Sequence, residues 1–182
     1  MIKCSSYTLS GAVSGTSYPY RHTPKTRTKP MEKISKQLLQ NINLTNASRL
    51  LSSQKLTSSE IIDHCYNLAC EGEEKLKLNA YTYINDLDDL LERARASDER
   101  IRSNKRLSPL DGLPISVKAN ISCKGLPLHA CSRILGGGGD HTDDTEGSDS
   151  VLLSAYDSDV VHNLVHKSGA ILLGQTNMDE FG

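Results

Sequence analysis

No apolar run in this chain approaches the roughly 20 residues that a helix needs to cross a bilayer. With a mean hydropathy of −0.42, a membrane-spanning helix is excluded. Cys4, Cys65, Cys70, Cys123 and Cys131 contain no C-x-x-C pair and leave an odd count. That excludes a disulfide framework or a zinc cluster and reads as free thiols in a reducing compartment. Acidic residues are absent from residues 1–30, where Lys3, Arg21, Lys25, Arg27 and Lys29 give a charge of +5. The remaining residues hold 16 basic against 22 acidic groups, so the body has no basic surplus for a large nucleic-acid footprint. The 182 residues suffice for one domain with its own core, and are too few for two.

Residues 1–30 are also rich in Ser, Thr and Tyr, and a basic, hydroxylated, acid-free start is the composition of an organelle transit peptide. Pro19, Pro24 and Pro30 break any helix in its second half. A disordered leader, or upstream sequence ahead of a start at Met31, is the alternative. Residues 31–182 then form the folded portion.

From Met31, Ile34, Leu38, Leu39 and Ile42 recur at helical spacing, and Thr45 is placed to cap a second short helix with Leu50 and Leu51. Thr57-Ser58-Ser59-Glu60 is a capping box, in which the threonine oxygen and the glutamate each take one free amide. It opens a helix with Ile61, Ile62, Cys65, Leu68 and Ala69 on its inner side, where Cys65 and Cys70 serve as core fillers. Residues 79–85 read as a strand. Residues 86–103 read as a helix with Asp86, Asp88 and Asp89 at its positive end and Arg100 and Arg102 at its negative end. Asp157 or Ser158 caps a helix with Val160, Val161, Leu164 and Val165, which stops at Gly169 before a buried strand from Ala170 to Leu173. Strands alternating with helices indicate an α/β fold with a largely parallel sheet.

Three motifs invite a ligand and fail. Gly136 to Gly139 lack the closing Lys-Ser/Thr of a phosphate loop, and the acids Asp140, Asp143, Asp144, Glu146 and Asp149 would repel phosphate. Their positions do not fit a calcium loop either. A flexible acidic, Gly-rich insertion at about 136–155 is the reading they leave. His162 and His166 stand four apart, but Asn163 occupies the place of the glutamate in a His-Glu-x-x-His site, so they read as surface histidines. No metal-ligating residues are assigned.

The run Asp111-Gly112-Leu113-Pro114-Ile115-Ser116-Val117-Lys118-Ala119-Asn120 is the chemical signal. Asp-Gly and Leu-Pro turn the chain, and Ile-Ser-Val seeds a strand, so Lys118 lies at the mouth of a sheet. A lysine there either snorkels to water or, when buried, loses its charge and becomes a proton acceptor.

Taken in order, that run, Lys124-Gly125-Leu126-Pro127, Cys131-Ser132-Arg133-Ile134-Leu135, Tyr156 to Val161 and Ser168 to Gly182 resemble the amidase signature family. The resemblance spans about residues 44–182, with Leu78-Asn79-Ala80-Tyr81 upstream. The Met178-Asp179-Glu180-Phe181 ending is similar to the glutamyl-tRNA(Gln) amidotransferase A-subunit branch of that family, since simple amidases more often carry Pro where Asp179 stands. The resemblance implies the N-terminal part of the amidase signature fold, a mixed and largely parallel sheet with helices on both faces, incomplete here. It also implies a Ser–cis-Ser–Lys triad in which Lys118 is the catalytic base, with Ser132 assigned to packing or substrate contact. Ala119 departs from the Asp that commonly follows the lysine.

In the family both serines lie in Gly-Ser-rich stretches after the position of Gly182. This chain is therefore expected to hold the base without the nucleophile, to be inactive alone and to have poor independent stability. The branch implies glutamine as the amide donor, amidotransferase B and C subunits as partners, and Glu-tRNA(Gln) contacted mainly through the B subunit. No cofactor is expected in this subunit, with ATP and magnesium in the partner. No membrane is expected, and the localisation is the mitochondrial matrix or, alternatively, the cytoplasm. The rival readings are a general amidase and a truncated, non-catalytic subunit-binding isoform.

Overall fold

The structure is a computed structural model and describes residue 39, residues 42–132 and residues 152–182. The leader, the helical pattern from Ile34 to Leu38 and the acidic insertion up to residue 151 lie outside the described residues.

Helix α1 spans Leu44–Ser52 and α2 spans Ser58–Glu74. Strand β1 (Tyr81–Ile84), helix α3 (Leu87–Arg102) and strand β2 (Pro114–Lys118) follow. A single turn α4 (Asp159–Val161) then widens into a π-helical segment over His162–Lys167 and leads to β3 (Ile171–Thr176).

The three strands lie in the order β1-β3-β2. Strand β3 pairs antiparallel with β1 and parallel with β2. The sheet is therefore mixed, as expected, and divided evenly between the two pairings. Strand β3 is central because its first residues are apolar on both faces; Ile171, Leu172 and Leu173 are all buried, which suits a strand covered on both sides. On one face Ile171 and Leu173 pack with Ile62, Tyr66 and Cys70 of α2 and Leu90, Leu91 and Ala94 of α3. On the other, Leu172 joins Tyr83, Val117, Cys123, Leu126 and Val161. Leu39, Ala47 and Leu51 close a further cluster with Leu56, Ile61, Ile101 and Leu113.

The capping box at Thr57 forms in full: Glu60 N donates to Thr57 Oγ1 at 3.2 Å and Thr57 N donates to Glu60 Oε2 at 2.9 Å. Asp86 caps α3 by accepting Asp88 N at 2.8 Å. Three local expectations change, and one choice between two caps is settled. Asn43, rather than Thr45, caps α1, because its extended backbone lets Oδ1 accept Asn46 N at 2.9 Å. Strand β1 is shorter than residues 79–85, because Asn79 sits at φ 52, a left-handed conformation that cannot continue a strand. Ser158 is the cap of α4, while Asp157 accepts Lys124 N at 2.7 Å instead. Leu68 is exposed, on the side of α2 that lines an open groove of about 410 Å³ with Leu78, Tyr81 and Ile115.

Candidate active site

Strands β2 and β3 run parallel and end together, with Lys118 paired to Thr176. In α/β sheets the carboxyl ends of parallel strands are where ligands bind, because the following loops diverge there. Alternation along β2 turns Val117 into the core and leaves Ser116 and Lys118 exposed. Lys118 is therefore not buried as the proton-acceptor reading required. Its strand is an edge of the three-stranded sheet, so nothing among the described residues pairs with it on that side. Among the described residues its ammonium carries no hydrogen bond or ion pair.

Two loops meet beside it. After β2 the chain turns at once: Ala119 N donates to Thr176 O at 3.1 Å and Ile121 N to Lys118 O at 2.9 Å. Ala119 is fully buried, so the Asp-to-Ala departure is filled by packing. After β3, Asn177 fastens the strand end: its N and Nδ2 donate to Ala80 O at 2.8 Å and Asn79 O at 3.0 Å, and its Oδ1 accepts Met178 N at 2.9 Å. The chain then closes a turn through Gly182 N to Asp179 O at 2.9 Å. Gly182 adopts φ 97, and a Cβ there would stand 3.8 Å from Lys118 Nζ and 3.5 Å from Asn120 Nδ2. This turn thus rests directly beside the lysine.

Ser132 is buried, and its hydroxyl donates to Glu180 Oε1 at 2.8 Å. Phe181 N donates to Ala130 O at 3.1 Å and Cys131 Sγ to Asn177 Oδ1 at 3.1 Å. Ala130, Cys131 and Phe181 all have positive φ, at 44, 54 and 61. Non-glycine residues hold that conformation only where their surroundings over-determine it, and such residues gather at functional sites. Asn120, Asn177 and Glu180 belong to this site without having been singled out from the sequence. All three nonetheless lie inside the motifs that carry the resemblance, Asn120 closing the Lys118 run and Asn177 and Glu180 falling within Ser168 to Gly182.

The remaining reactive side chains lie elsewhere. Burial pushes the Cys123 thiol up to about 11, with Asp157 adding to the effect, and burial also raises the Cys65 thiol. Cys70 is in the core between α2 and the sheet. The rings of His162 and His166 lie 5.3 Å apart, but His166 Nε2 pairs with Asp157 Oδ2 at 2.8 Å. No group of three or more His, Cys, Asp or Glu residues among the described residues could hold a metal ion. No described helix is long and apolar enough to cross a membrane.

Known proteins are similar to this chain in sequence and in fold. The family described as Amidase matches residues 60–182. The A subunit of the mitochondrial glutamyl-tRNA(Gln) amidotransferase of Xenopus laevis is 33% identical over 141 residues, covering 78% of this chain and 23% of that protein. The corresponding A subunit from Methylacidiphilum infernorum is 35% identical, with 77% and 23% covered. Among solved structures, an amidase family protein from Bacillus anthracis superposes with a TM-score of 0.60 at 25% identity, covering 80% of this chain and 26% of that one. The native peptide amidase from Stenotrophomonas maltophilia has a TM-score of 0.61 at 21% identity, with 78% and 26% covered; that likeness concerns the fold. The chain thus spans about a quarter of the length of the relatives it matches.

Proposed function

This chain belongs to the amidase family, and from that premise we propose that it is the N-terminal portion of a glutamine-hydrolysing amidotransferase A subunit, with Lys118 as its catalytic base. The observation that supports the reading is the placement of Lys118 at the carboxyl ends of the parallel pair β2 and β3, in register with Thr176. The site there is walled by a strained pair of loops. An amine at that position takes the proton of a serine nucleophile through a second serine. Both serines come from the later Gly-Ser-rich stretches that the family resemblance implies. Those stretches pack along the open β2 edge and bring the serines to the Lys118 amine. Ser132, buried behind the wall with its hydroxyl on Glu180, serves as packing for the same site.

The reading extends to the partners. Ammonia released from glutamine passes to a B subunit that uses ATP and magnesium to convert Glu-tRNA(Gln) to Gln-tRNA(Gln), with a C subunit completing the complex. This subunit itself carries no cofactor. Mitochondrial relatives among the most similar proteins and the acid-free basic residues 1–30 support a role in mitochondrial translation. Residues 1–30 act as leader.

The test is ammonia release by the natural full-length protein, with and without B and C subunits, from glutamine and from simple amides. Glutamine-specific release supports the proposal. Release from simple amides alone identifies a general amidase, the reading that the likeness to solved amidases favours. Complex formation without hydrolysis identifies a non-catalytic subunit.

A further inference from the structure

We propose that Glu180 is a positioning residue for the Lys118 site, acting through the buried hydroxyl of Ser132. Glu180 and Ser132 lie 48 positions apart in sequence, on the two loops that follow β3 and β2. Among the described residues, their hydrogen bond and two others fasten these loops to each other. The others are Phe181 N to Ala130 O and Cys131 Sγ to Asn177 Oδ1. The loop on the Ser132 side is also braced within itself, since Ser132 N donates to His129 O at 2.7 Å and Cys131 N to His129 Nδ1 at 2.9 Å. The turn on the Glu180 side ends at Gly182, which lies against Lys118, Asn120 and Met178.

The Ser132–Glu180 bond is the part of this clasp that a side chain can switch. Phe181 and Ala130 contribute only backbone atoms to it, and the thiol of Cys131 is a weak donor. Ser132 is buried while Glu180 is exposed, so the carboxylate reaches inward from the surface to accept the hydroxyl's proton. With the bond made, the strained φ values at Ala130, Cys131 and Phe181 are held, and the turn presents a fixed surface to the lysine side chain. With it broken, the turn is free to relax away from Lys118, and the base loses its fixed position relative to the amide.

This inference rests on the reading of Lys118 as the base, so its test needs a readout that survives failure of that reading. In the natural full-length protein, Glu180→Ala, Glu180→Gln, Ser132→Ala and the Ser132→Ala/Glu180→Ala pair are compared in two ways. The first is steady-state amide hydrolysis. The second is trace acetylation of Lys118 relative to the protein's other lysines, read by mass spectrometry. A displaced base costs about 10- to 100-fold in rate. The expected result is a loss of that size in kcat for each alanine variant, with KM nearly unchanged. The double variant should be no worse than either single one, and Glu180→Gln, whose amide oxygen still accepts the Ser132 proton, should stay close to the parent. Acetylation of Lys118 should change in the alanine variants and be restored in Glu180→Gln.

Parent-like kcat and acetylation in Glu180→Ala overturn the proposal. So do losses that multiply in the double variant, or a Glu180→Gln variant as impaired as Glu180→Ala. If the parent hydrolyses no amide, the proposed function fails while the acetylation comparison still decides the clasp. If Glu180→Ala does not fold, the same comparison on Ser132→Ala and Glu180→Gln decides it.

Discussion

The Arg100 guanidinium closes on both oxygens of the Asp111 carboxylate, Nε to Oδ2 at 2.9 Å and Nη2 to Oδ1 at 2.6 Å. Asp111 is completely buried, and its remaining capacity is filled by Ser97 Oγ at 2.9 Å and Leu107 N at 3.0 Å. The acid thereby joins the end of α3 to the turn that starts β2. The neighbouring Gly112 N donates to Gly169 O at 3.0 Å, which brings in the turn that starts β3. The strand carrying Lys118 is therefore anchored at the end opposite the site.

Removing one partner of a buried, hydrogen-bonded ion pair costs about 3–5 kcal/mol. Asp111→Asn should lower the stability of the protein by an amount in that range, measured by urea denaturation. Arg49→Gln, at an exposed position on α1, should change it by less than about 1 kcal/mol.

The same carboxylate gives a pH dependence of known sign. Burial alone would raise Asp111, but Arg100, the Leu107 amide and Ser97 hold it below the ordinary carboxylate range. Asp157 is lowered likewise, against its partial burial, by His166 and the Lys124 amide. A carboxyl depressed in the folded state binds protons more readily unfolded. Its contribution is complete above the unfolded value of about 3.9 and is lost as pH falls through the folded value. The thermal midpoint should drop below about pH 4, and Asp111→Asn should flatten that drop.

Gly169→Ala should also destabilise. Gly169 holds φ 78, and a Cβ on it would meet Asp111 Oδ1 at 2.5 Å. The loss should exceed about 1 kcal/mol and should shrink when Asp111→Asn is already present, since both changes act on one cluster.

Native thiol labelling at pH 8 should separate the cysteines. Cys123 is buried with its thiol pushed up to about 11, so its reaction with iodoacetamide should wait for unfolding. Cys131, only partly buried, should react first of the two. Equal rates for both, followed by peptide mass spectrometry, would contradict the packing described.

What the sequence made legible was local. The Thr57 box, the Asp86 cap and the strand ending at Lys118 each depend on residues within a few positions of one another, where propensity and spacing decide. The exposure of Lys118 and Leu68 depended on what lies beside an edge strand and an open groove, which no local pattern encodes. Asn43 displaced Thr45 as a cap because both types suit the role and only the backbone chooses between them. The clasp of Ser132 with Glu180 joins loops far apart in sequence, so each residue was visible in its own motif and their pairing was not.

The most direct measurement is glutamine hydrolysis by the natural full-length protein in its complex, parent against Lys118→Ala, alongside the thermal midpoint of each. Losing a catalytic base costs about 10²- to 10⁴-fold in rate, and an exposed side chain contributes little to stability. The account predicts a loss of kcat in that range with an unchanged midpoint. A Lys118→Ala variant that keeps the parent's kcat would contradict it.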